Sequence, residues 1–177
     1  MMYHLSLRKN RQLSIVNRQF QRGFTLVEMV LYMGLLSLLL VVMVDLFAAS
    51  LDVQLESQAV SSVDRDGRFI LSRFTYDINR ADSIVSPTLG LQANTLQLLI
   101  GGVSYTYTLN NGNIQLTNSF GTDLLNSFDS TISNMSFQRL GNTTGKHSIR
   151  FLFTITSKTT RPAGPETKQF QTTIGVR

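Results

Sequence analysis

The chain has 177 residues, 42% of them hydrophobic, a formal net charge of +5 and no cysteine. The missing cysteines exclude a disulfide framework and a thiolate metal site. Arg8, Lys9, Arg11, Arg18 and Arg22 lie in the first 23 residues, and the eleven remaining basic residues balance the eleven acidic ones, so the folded part lacks the basic excess that nucleic-acid binding requires. From Phe24 to Val44 runs a 21-residue segment whose only charge is Glu28. As a helix it spans about 30 Å, the hydrocarbon thickness of a bilayer. Basic residues precede it and acids follow from Asp45. The positive-inside rule then predicts that the first 22 residues are cytoplasmic and that the carboxyl-terminal part is outside.

An ordinary secretory signal is cut after its apolar run. Here the small residue, Gly23, stands before the run, between the charged tail and Phe24. An uncleaved signal anchor is the alternative, giving a bitopic membrane protein with an exterior binding domain. Glu28 favours a cut after Gly23. A carboxylate within a bilayer costs about 2.5–3.5 kcal/mol on insertion scales. A cut would give Phe24 a new α-amine, largely protonated at neutral pH. Opposite charges about 4 Å apart attract by about 4 kcal/mol at an effective dielectric near 20. Glu28 of one copy can therefore meet the Phe24 amine of the next, and the acid becomes an assembly device.

After Ala49 the pattern turns amphipathic. Leu55, Ala59, Val63, Gly67, Ile70, Phe74, Ile78 and Ala81 recur at three- and four-residue steps. With no proline before Pro87, one helix is predicted over 24–82. Residues 24–49 form its membrane or filament-core half, and residues 50–82 pack on a sheet. Asp64 with Arg68 and Arg73 with Asp77 stand at i,i+4, each giving a few tenths of a kcal/mol of support. Gly67 in the apolar stripe marks a close helix–sheet approach or a bend. Asp64-Arg65-Asp66-Gly67 resembles a fragment of a calcium loop but lacks the later bidentate Glu.

Residues 83–177 read as an exterior β-rich domain. Strands are predicted at 95–100 and 103–109 around Gly101-Gly102, and again from Ile114 after Asn111-Gly112. Residues 119–130 read as a loop. Further strands follow at 131–140, 148–157 and 169–176, the first with imperfect alternation, and residues 158–167 form a Pro- and Gly-containing loop. The expected fold is α+β: a long helix whose second half packs on an antiparallel sheet of five to seven strands. His4 and His147 are isolated, and Gly141 to His147 is one residue short of a phosphate loop, so no catalytic or metal constellation, and no cofactor, is expected.

Arg22-Gly23-Phe24-Thr25-Leu26-Val27-Glu28, followed by about twenty apolar residues, resembles the processing signature of the type IV pilin and type II secretion pseudopilin family. The resemblance covers Gln21 to Ala49. It implies cleavage between Gly23 and Phe24 by a membrane prepilin peptidase, N-methylation of Phe24, and neutralisation of a neighbour's terminus by Glu28. Residues 1–23 would be the cleaved leader. Implied partners are other pilin or pseudopilin subunits, the peptidase and an inner-membrane assembly platform. The unbroken helix is more like a minor subunit, and the absence of a disulfide favours a pseudopilin or a pilin from another bacterial group.

Overall fold

The computed structural model describes residues 23–176. The basic leader, apart from Gly23, lies outside the described residues, as does His4. The chain divides into two compact units, Met1–Val44 and Asp45–Arg177. A single helix, α1 (Leu26–Arg80), contributes to both. It is four residues shorter than the predicted 24–82, two at each end. Thr25 caps the start, and Ala81 leaves the ladder through an amide bond to Ile78 O at 3.2 Å.

In the first unit the apolar side chains from Phe24 to Val44 are exposed. An 18-residue window of α1 is apolar enough to cross a membrane, and none of it is buried.

In the second unit, α1 buries Ala59, Ser62, Val63, Asp66, Gly67, Ile70, Phe74, Asp77 and Ile78. The predicted stripe is therefore the buried face, except that Leu55 is only half-buried and two carboxylates join it. Nine strands follow among the described residues. β1 (Ser83–Ser86), β3 (Leu96–Ile100), β4 (Val103–Asn110), β5 (Asn113–Asn118) and β6 (Gly121–Leu124) form a five-stranded antiparallel sheet in the order β1-β3-β4-β5-β6. β2 (Gln92–Ala93), β7 (Ser130–Leu140), β8 (Ser148–Ser157) and β9 (Thr167–Gly175) form a second, in the order β2-β7-β8-β9. The α+β class and the long helix are as expected. The strands divide between two sheets, where the sequence pattern suggested one of five to seven.

The tight turns explain why β3 to β6 run as a meander, while β1 reaches β3 by way of β2 in the other sheet. Gly101 and Gly102 have φ of +56° and +79°, and Asn111 and Gly112 have +49° and +75°. Positive φ at both central residues is what a type I′ hairpin turn requires. The predicted 119–130 loop in fact contains β6, short and exposed, paired to β5 through Asn118 and Gly121. The Asn118 side chain seeds that turn by accepting from the amides of Phe120 and Gly121 at 2.8 and 3.1 Å.

The imperfect alternation of β7 is a bulge between Ser133 and Ser136, with Asn134 at φ +51°. The bulge resets the period, so Ile132, Met135 and Phe137 all face inward. Gly67 is required by close approach. A Cβ there would run into the ring of Phe170 on β9, so the helix gives up about 1 kcal/mol of propensity to let the strand come near.

The core is aromatic at its centre. Phe74 lies 4.7 Å from Phe151 and meets Tyr107 edge-on at 6.1 Å. Phe137 and Phe153 stack on either side of Phe151 at 4.6 Å, and Phe170 continues from Phe153 at 5.5 Å. Such pairs add about 0.5–1.5 kcal/mol each beyond area burial.

Candidate processing and assembly site

Gly23, Phe24 and Thr25 precede the helix and are exposed. A Cβ at Gly23 would meet nothing within 4 Å, so the chain's own fold does not demand a glycine there. Thr25 is the N-cap. Its Oγ1 accepts from the Glu28 amide at 3.2 Å, and its carbonyl accepts from Met29 at 3.1 Å. Thr-x-x-Glu at a helix start is the capping-box spacing, and the acid also sits favourably at the positive end of the helix dipole.

The Glu28 side chain has a partner that the sequence reading missed. Tyr32, one turn on, donates its hydroxyl to Glu28 Oε1 at 2.9 Å. The Tyr32 ring meets the Phe24 ring edge-on with centroids 6.3 Å apart. Phe24, Glu28 and Tyr32 thus share one face at four-residue steps. From Gly23 to Gln54, Glu28 is the single residue that is not exposed. The i,i+4 spacing of Glu28 and Tyr32 was the available signal.

The second unit holds two buried carboxylates, Asp66 and Asp77. Asp66 Oδ2 accepts from the Ser127 amide at 2.9 Å, the Ser127 hydroxyl at 2.7 Å and the Ser130 hydroxyl at 2.7 Å. Asn126 works beside it, accepting from the Ile114 amide and donating to the carbonyls of Ser127 and Ser130. Together they tie down the passage from the first sheet to the second. Asp64 turns away to Lys168 on β9, Oδ1 to Nζ 2.7 Å, instead of bonding the expected Arg68. The two acids of the calcium-like fragment therefore serve different partners.

Asp77 is fully buried. Its Oδ2 accepts from Tyr107 at 2.6 Å and from Arg73 Nε at 3.1 Å. The expected Arg73–Asp77 pair is present, but as part of a core network instead of weak surface support. Burial, then the neighbouring carboxylate, push the Tyr107 hydroxyl well above its ordinary range, so it stays a donor.

Burial would raise the Asp66 carboxyl, but bonds from Ser130 and Ser127, with Arg65 nearby, outweigh it and hold the group below the usual carboxylate range. A depressed folded-state value stabilises the fold above the unfolded carboxyl's range and is lost as pH falls through the folded one. Denaturant unfolding should therefore be flat from neutral pH to about pH 5 and weaken below about pH 4. Asp66→Asn should make that acid limb shallower, and an unchanged limb in the variant would refute the assignment.

Gly141 to His147 joins β7 to β8 as a turn, closing on the Leu140–Ser148 pair. An open hollow of about 810 Å³ is lined by amides and hydroxyls, including Gln92, Asn94, Thr108, Asn134 and Ser136, without an ionisable side chain.

Residues 18–44 match the family model described as the prokaryotic N-terminal methylation motif, the signature of type IV pilins and pseudopilins. No curated protein and no solved structure matches the chain.

Proposed function

From the methylation motif and the apolar helix that carries it, we propose that this chain is a structural subunit, a minor pilin or pseudopilin, of a type IV pilus or a type II secretion-type filament. It is a substrate of a prepilin peptidase and methylase and performs no catalysis itself. Cleavage falls between Gly23 and Phe24, and Phe24 is N-methylated. The apolar half of α1 anchors the subunit in the inner membrane, with the β-rich domain outside, until an assembly platform adds it to other subunits.

The single observation carrying this reading is the coincidence of Gly23, Phe24 and Glu28 at the head of an exposed apolar helix. Among the described residues of the first unit the helix has no packing partner for those side chains, and lipid followed by neighbouring helices supplies one. The Glu28 amide is capped by Thr25 and its side chain is part-shielded at the end where the proposed assembly brings a neighbouring chain's terminus.

Mass spectrometry of the membrane-derived chain tests the processing. A mature terminus at methyl-Phe24 is expected; a chain still starting at Met1 or Met2 returns the uncleaved anchor. Glu28→Ala should still insert, since it removes a polar group, but its recovery in sheared filaments should fall about tenfold or more, the effect of losing a charge-assisted contact worth about 1.5–3 kcal/mol. Recovery equal to wild type would remove the pairing mechanism.

A further inference from the structure

Resting on that filament reading, we propose that Tyr32 is a positioning residue for assembly: its hydroxyl holds one oxygen of the Glu28 carboxylate inside the chain and leaves the other to receive a neighbour's terminal ammonium. The hydrogen bond runs from Tyr32 to Oε1 alone, at 2.9 Å.

Depth argues that the contact matters. Tyr32 stands eight residues after Phe24, about 12 Å along a helix axis. Tyrosines that anchor proteins at the headgroup level sit nearer the surface. A hydroxyl at this depth needs a partner, because hydrocarbon offers none. Glu28 has the matching need, for an acid in lipid is costly while unpaired. Each group answers the other at the i,i+4 spacing where helix side chains meet.

Shielding adds a second observation. Phe24 and Tyr32 flank the acid, ring to ring at 6.3 Å, and Glu28 alone between Gly23 and Gln54 is not exposed. The lone subunit therefore carries its acid partly covered and already oriented. Assembly completes a half-satisfied carboxylate instead of rescuing a bare one. A carboxylate accepts at two oxygens, so the incoming ammonium need not displace the tyrosine.

The variant Tyr32→Phe separates this from packing, because it keeps the ring and its contact with Phe24 and removes only the hydroxyl. Tyr32 is 48% exposed, so no core depends on it. The full chain in lipid vesicles is examined by isotope-edited infrared spectroscopy of the glutamate carboxylates, with Glu28→Gln identifying the Glu28 band. Filament incorporation is measured in cells.

The expected result is a shifted Glu28 band in Tyr32→Phe and incorporation lowered about threefold or more, the factor that an average hydrogen bond within a bilayer supports. An unshifted band, or a shifted band with wild-type incorporation, overturns the proposal. Impaired Glu28→Ala beside unimpaired Tyr32→Phe removes only this inference; unimpaired Glu28→Ala removes the pairing reading on which it rests.

Discussion

Gly23→Leu is expected to keep the leader attached and stop filament entry while leaving the fold intact. A Cβ at position 23 meets nothing within 4 Å, and the residue precedes the helix. The substitution therefore removes no contact and adds no clash within the chain. On the proposed processing, its effect arises where the peptidase grips the segment. Forcing a branched side chain into a site fitted to glycine costs about 1–3 kcal/mol, and each 1.4 kcal/mol is a factor of ten in rate. Cleavage should slow by about ten- to a hundredfold. Mass spectrometry reads the retained leader, and thermal unfolding reads the unchanged domain. Efficient cleavage of the variant would undo the processing claim. A lowered melting temperature would mean that Gly23 has a role in the fold after all.

Asp77→Ala should strongly destabilise the domain that begins at Asp45. Asp77 is fully buried and unites Tyr107 and Arg73 on one oxygen, at 2.6 and 3.1 Å. Removing the acid leaves a buried hydroxyl without its acceptor and a half-exposed guanidinium without its partner. Breaking a fully buried pair from one side costs about 3–5 kcal/mol, and the access of Arg73 to water puts this one at the lower end. That is a large share of the 5–15 kcal/mol by which domains are typically stable. The melting temperature should drop by about 10–20 °C for a domain of this size. Tyr107→Phe should cost less, about 1.5–3 kcal/mol, because the acid keeps its arginine. A drop of only a degree or two in Asp77→Ala would show that the network contributes little.

Helical periodicity places Asp66 and Asp77 on the stripe formed by Val63, Gly67, Ile70, Phe74 and Ile78. Position alone could therefore have marked both acids as buried. The partners that make burial of these acids tolerable are remote. Ser127 and Ser130 lie 61 and 64 residues away, and Tyr107 lies 30 away. Nothing local announces a hydroxyl that will arrive from another strand. Glu28 and Tyr32 are the opposite case. Their contact spans four residues and is legible in the sequence as an i,i+4 pair.

By itself the sequence determined the elements whose causes are local. The apolar run fixed the exposed half of α1, the three- and four-residue steps fixed its buried face, and Gly101-Gly102 and Asn111-Gly112 fixed two hairpins through their positive φ. It also carried the motif at 18–44. Tertiary structure alone decided that nine strands form two sheets. After touching the second sheet briefly at β2, the chain leaves the first sheet for good at Leu125, where Asn126 and Asp66 bind the turning backbone, and continues in the second from Ser130. That decision depends on hydrogen bonds between residues far apart in the chain, whose formation follows from packing and leaves no period in the sequence.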